Sequence, residues 1–264
     1  MKKTSRSSDR WLKFAVIVAL STFCVLAFAA AIVGNNNQMS AFERGQYYFN
    51  ADDDPAGPYD LEKARQAYEE AIMASSTEHE LAWYQLGRID FIEGKFDAAL
   101  SKFETQREYF GDTIPSVYYM IGLTYGFKAR RTENPDDWQK GIDAFEYYIT
   151  FEPYVPWPRV DLAWLYFSQA RFNEMIPVLL GGLEHAPTNP WLLNMLGLAL
   201  MNTGENAAAL VQFELADVYA SMITEAEWGK SYPGNSPSDW AEGLASFQDV
   251  IKKNIELAKT SNTQ

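Results

Sequence analysis

Two patterns of apolar and polar residues divide the chain. Residues 14–33 (FAVIVALSTFCVLAFAAAIV) run for 20 positions without a charge. At about 1.5 Å rise per residue that length matches a hydrocarbon core of about 30 Å, so the run predicts a membrane helix. Beyond it, apolar residues return at the three- and four-residue spacing that lines one side of a helix. Within those helical patterns Gly45, Gly87, Gly122, Ala163 and Gly197 recur at spacings of 42, 35, 41 and 34 residues. A small residue returning at such a period marks a repeated pair of helices, and the predicted protein is all-α.

The units can be aligned on these small residues. The second reads Trp83-x2-Leu86-Gly87, followed by Gly94, Phe96, Ala99 and Phe103. The third has Tyr118-x2-Ile121-Gly122-x2-Tyr125, then Ile142, Phe145 and Pro153; the fourth has Leu162-Ala163-x2-Tyr166, then Phe172, Leu179 and Pro187. The fifth has Leu193-x2-Leu196-Gly197-x2-Leu200, then Gly204, Ala209, Phe213 and Ala216, and the first has Gly45-x2-Tyr48, then Ala64, Tyr68 and Ala71. This pattern resembles the tetratricopeptide repeat (TPR), in five units over residues 39–223. Asp90 stands where that family usually has a large apolar residue, and Arg159 where it usually has an aromatic. The resemblance implies a right-handed superhelix of helix pairs whose concave face is lined mainly by the first helix of each pair. No such unit buries its apolar face alone, so the core is expected to run continuously along the stack.

Two units carry about seven extra residues, at 51–59 (ADDDPAGPY) and 130–137 (RRTENPDD), each between the helices of a pair. Their Pro, Gly and Asp content predicts acidic connecting turns. Asp52, Asp53, Asp54 and Asp60 offer oxygen ligands for calcium, but the spacing of a calcium loop is absent. The run 153–158 (PYVPWP) presets extended backbone, and is read either as an ordinary connection or as a stiff ridge presenting an aromatic. After a turn-rich stretch at 229–237, residues 238–259 predict a last helix with Ser238 or Asp239 as N-cap and Leu244, Phe247, Ile251, Ile255 and Ala258 along one side. Repeat arrays need a cap over their open apolar end, so this helix is expected to cap the fifth unit, with lying in the groove or binding a partner as alternatives.

If the implied geometry holds, one helical face selects the groove. It comprises Tyr84, Arg88 and Phe91; Tyr119, Leu123 and Phe127; Trp157, Trp164 and Phe167; and Trp191, Asn194 and Met201. Only Arg88 and Asn194 suit a peptide's terminal carboxylate, so an apolar or helical partner segment fits this lining better.

Charge changes the picture by being uneven. Lys+Arg 22 against Asp+Glu 35 give a net charge of -13. Residues 1–13 contain Lys2, Lys3, Arg6, Arg10 and Lys13 against Asp9, a tip of +4 that leaves -17 on the remainder. Basic flanks stay on the cytoplasmic side, so residues 34–264 are expected outside the cytoplasm, periplasmic or extracellular. The same apolar run also reads as a signal peptide with small-residue cleavage sites at Ala27-Phe28-Ala29 and Ala29-Ala30-Ala31. So acidic a body repels phosphate backbones, which argues against nucleic acid.

Chemistry is scarce. Cys24 is the one cysteine and has no disulfide partner; His79 and His185 are the two histidines, each at a predicted helix end. Gly181-Gly182 lacks the Lys-Ser/Thr of a phosphate loop. No catalytic constellation, cofactor, metal or small-molecule substrate is expected. The division is therefore 1–13 cytoplasmic tip, 14–33 membrane helix or signal, 34–38 linker, 39–223 solenoid, and 224–264 connector and capping helix. The function expected is a membrane-tethered extracytoplasmic scaffold for protein partners, in assembly or maintenance of an envelope or membrane complex. A permanent structural subunit and a soluble periplasmic chaperone are the alternatives.

Overall fold

The computed structural model describes residues 39–49, 57–74, 79–231 and 237–261, and all regular structure among them is helical. Five helix pairs follow one another: α1 (Ala41–Phe49) with α2 (Leu61–Met73), α3 (His79–Ile92) with α4 (Phe96–Phe110), α5 (Ser116–Thr132) with α6 (Pro135–Phe151), α7 (Trp157–Ser168) with α8 (Phe172–Leu183), and α9 (Pro190–Asn202) with α10 (Asn206–Ala220). A short α11 (Glu225–Gly229), a 3-10 turn (Pro237–Asp239) and the long α12 (Trp240–Ser261) complete the chain. The basic tip, the 14–33 run and the 34–38 linker lie outside the described residues. No helix among the described residues is long and apolar enough to cross a membrane.

Local chemistry sets the helix ends. Asp60 accepts a hydrogen bond from the Lys63 amide at the start of α2, and Asn189 does the same for Leu192 at α9. Thr224 and Glu227 form a capping box on α11. Gly94 and Gly204 take φ of 71° and 90° just past α3 and α9, where a side chain would be strained.

Four of the five pairs are locked by a glycine under a ring. A Cβ on Gly87 would lie 2.4 Å from Phe103, and one on Gly122 would lie 2.7 Å from Phe145. Gly45 meets Tyr68 and Gly197 meets Phe213 in the same way. In the fourth pair Ala163 carries the extra methyl and Leu179 replaces the ring, both fully buried. The core runs without a break from α3 to α10, with Phe103, Phe145, Leu165, Leu179 and Phe213 at its centre. A second cluster ties the first pair to α3, and a third joins α12 to Leu193, Ala216 and Ala220.

The two substitutions that break the repeat pattern are accommodated differently. Asp90 is 2% exposed and is paired with Arg65 at 2.8 Å, with Lys102 at 3.6 Å. Arg159 is half-buried, donates to the Pro153 carbonyl at 2.6 Å, and lies over Gly181 and Gly182, where the absence of side chains makes room for it.

The inserted residues at 130–137 do not form the acidic loop expected of them. They lengthen both helices of the third pair to 17 residues and leave only Glu133 and Asn134 as the connection. Glu133 takes φ 56°, Asn134 caps α6 by accepting from the Asp136 amide, and Pro135 occupies the first turn, where its missing N–H costs nothing. Asp137 is buried near Lys128 at 3.7 Å, and so belongs to the packing rather than the surface. Asp60 likewise works as a cap and pairs with Lys63, while Asp52, Asp53 and Asp54 lie outside the described residues.

Candidate interaction groove

Successive first helices (α3, α5, α7, α9) approach one another more closely than successive second helices do. An array that is tighter along one side curves toward that side, so the first helices line the concave face. Helix α12 packs along α10 and touches α9, the position a sixth first helix would take.

Most residues expected on the concave face are half-buried there: Tyr84 and Arg88 from α3, Tyr119 and Phe127 from α5, Trp157, Trp164 and Phe167 from α7, and Trp191 and Met201 from α9. They form linked rows of rings. Phe127 stacks on Trp164 at 5.4 Å and meets Phe91 edge-on at 5.5 Å. Trp157 meets Trp191 edge-on at 4.9 Å, and Trp191 stacks at 4.9 Å on Phe247 of α12. Arginines of the chain already lie near two of these rings, Tyr84 and Trp164. Arg88 lies 4.6 Å from the Phe49 ring centre and 5.9 Å from that of Tyr84, and Arg130 lies 6.0 Å from that of Trp164.

Three expected groove residues are placed elsewhere. Phe91 and Leu123 are buried in the core at 5% and 2% exposure, because α3 and α5 are enclosed on more of their circumference than a two-sided helix would be. Asn194 is buried beneath α12, where it accepts a hydrogen bond from Asn254 at 2.9 Å. With Phe247 over Trp191, α12 thus occupies the fifth unit's share of the face and, among the described residues, does not pack along α3, α5 or α7.

One residue of the face was not singled out from sequence. Asp161 lies on α7, four residues after Trp157 and three before Trp164, so it projects between them. Tyr119 donates its hydroxyl to Asp161 Oδ2 at 2.7 Å, joining the third and fourth pairs across the groove. Burial pushes the Asp161 carboxyl up to about 7, against the pull of that hydrogen bond. The i−4/i+3 spacing was the signal; a single acid in an acidic chain attracts little notice.

Two other clefts are open to solvent. One, of ≈ 660 Å³, lies among α4, α5 and α6 and has Tyr118 and Tyr147 edge-to-face at 4.5 Å, with Arg107 4.9 Å from the Tyr118 ring centre and Asp112 accepting from both hydroxyls. Burial and the Asp112 hydrogen bond push the Tyr118 hydroxyl up to about 12, so it stays protonated at neutral pH. The other, of ≈ 450 Å³, lies beside Trp157, Trp191 and Met222. The exposed ring of Tyr154 in the proline run stands edge-on to His185 at 4.8 Å. Among the described residues no group of three His, Cys, Asp or Glu stands close enough to hold a metal.

No family model matches the chain, and no curated protein matches it. Its likeness is to solved structures. PilW, a widely conserved type IV pilus biogenesis factor, aligns over 82% of this chain and 96% of its own at 15% identity, with a TM-score of 0.54. TTC0263, a thermophilic TPR protein of Thermus thermophilus, aligns over 78% and 97% at 14% identity, TM-score 0.53. MamA aligns over 62% and 90% at 19% identity, TM-score 0.52. At these identities the likeness is one of fold, a TPR-like α-solenoid.

Proposed function

We propose that this chain is a membrane-tethered, extracytoplasmic scaffold that holds protein partners in its concave groove and serves assembly or maintenance of an envelope or membrane complex. The observation that carries the reading is the row of half-buried rings on α5 and α7, which α12 does not cover although it covers the end of the array. Aromatic side chains bring large contact area at low entropic cost, which suits a protein-binding surface. The likeness to PilW, named for pilus biogenesis, accords with an assembly role. The tether rests on the 14–33 run and the basic tip before it. Confinement beside membrane partners raises effective concentration and lets weak groove contacts suffice.

A photo-crosslinking residue at Tyr119 or Trp164, irradiated in native membranes, tests the groove. A partner protein attached at these positions is the expected product. Attachment only to the chain's own α12 would show a self-filled groove and overturn the reading. Replacing residues 1–33 by a cleavable signal tests the tether, with weakened partner co-purification at native expression as the expected outcome.

A further inference from the structure

Among the described residues, the carboxylates of Asp90 and Asp137 are buried between helices of the array and that of Asp161 is half-buried on α7, and the three are treated differently. Asp90 is met by Arg65 and Lys102, and Asp137 by Lys128. Asp161 is met only by the Tyr119 hydroxyl, and no cation among the described residues pairs with it. It is also the one of the three that stands on the concave face, between Trp157 and Trp164 on α7. An anion drawn out of water without a counter-charge is unfavourable in the free protein, and a cation delivered by a ligand would remove that penalty.

The walls select the kind of cation. A divalent metal needs six or more oxygen ligands, and this position offers a single carboxylate and a phenol. Aromatic rings instead attract organic cations, and two of the groove's rings already lie near arginines of the chain itself, Tyr84 near Arg88 at 5.9 Å and Trp164 near Arg130 at 6.0 Å. The -17 body outside the tip favours approach of positive charge over the whole surface.

Resting on the scaffold reading above, we propose that the groove recognises a partner polypeptide through one lysine or arginine, seated between Trp157 and Trp164 with its cation on Asp161 and flanked by apolar residues that lie along the rings of α5 and α7. Burial, which holds the carboxyl at about 7, supports this arrangement, since an arriving cation would restore the ionised form.

The test is selection of displayed random peptides on the full-length protein in detergent, followed by affinity measurement on wild type and Asp161→Asn, which preserves size and the Tyr119 contact. Selected peptides are expected to share one basic position. Replacing that residue by Gln is expected to weaken binding to wild type by about tenfold or more, and to change binding to Asp161→Asn little, as a charge-assisted contact of at least ~1.4 kcal/mol requires. Peptides that lose affinity on Trp164→Ala yet carry no shared basic residue, or bind Asp161→Asn equally, would overturn this inference and leave the groove reading standing. Peptides indifferent to Trp164→Ala and Tyr84→Ala, or no binding peptides at all, would overturn both. Unchanged helical circular dichroism of each variant establishes that losses of binding are not losses of fold.

Discussion

Asp90 and Asp161 show how much a single acidic letter leaves undecided. Both interrupt apolar helix patterns, yet one is neutralised by Arg65 and the other faces a groove with a phenol for company. The difference has a measurable consequence. Because the folded-state value of Asp161 is raised from 3.8 to about 7, the folded protein binds more protons than the unfolded chain between those values. The group therefore leaves stability intact below about pH 4 and lowers it as pH rises toward 7. Asp161→Asn removes this dependence. Its stability, read from the urea midpoint, is expected to exceed that of wild type more at pH 8 than at pH 5, the gap widening by at most ~2.7 kcal/mol, since only the two pH units from 5 to 7 contribute at about 1.36 kcal/mol each. A difference that does not grow with pH would contradict the burial of this carboxyl.

At the scale of the helix, the recurring device is a glycine beneath a ring. Gly45 and Tyr68 are 23 residues apart and Gly87 and Phe103 are 16 apart, and the two spacings recur at Gly122 with Phe145 and Gly197 with Phe213. The insertions therefore fall between lock and key without disturbing either. Gly87→Ala would drive a methyl into the Phe103 ring and is expected to cost about 1–3 kcal/mol, read as a lower denaturant midpoint. The small residues and their partners were legible, because packing of this closeness requires particular residue sizes. The form of the third pair's insertion was not. Its Pro, Asn and Asp residues serve equally as a loop or as the cap and first turn of a longer helix, and packing of Asp137 beside Lys128 selected the second.

Over the whole molecule, the ends behave differently from the middle. Helix α12 places Ile251 against the fifth pair, stacks Phe247 on Trp191 and pairs Asn254 with Asn194. Truncation before residue 237 would uncover this surface. It is expected to reduce stability by several kcal/mol, at ~1.5–3 kcal/mol for each large apolar side chain re-exposed, and to promote association visible by light scattering. A truncated chain that stays monomeric with an unchanged midpoint would show that the fifth pair is self-sufficient.

Periodicity, the small-to-large spacings and the turn residues were enough to specify helix pairs, since each reports a local requirement of size or backbone that the sequence carries directly. The candidate groove was legible only in part. Tyr84, Tyr119, Phe127, Trp157, Trp164 and Phe167 were singled out because one helical face can be counted from the packing positions, and they are half-buried on the first helices. Which face residues stay accessible depended on distant chain segments: the neighbouring helices enclosed Phe91 and Leu123, and α12 covered Asn194 and Trp191. Whether an acid meets a cation or remains unpaired is likewise a property of neighbours brought together by the curvature of the array. That is why Asp161, unremarkable in the chain, became the charged point of the concave face only in three dimensions.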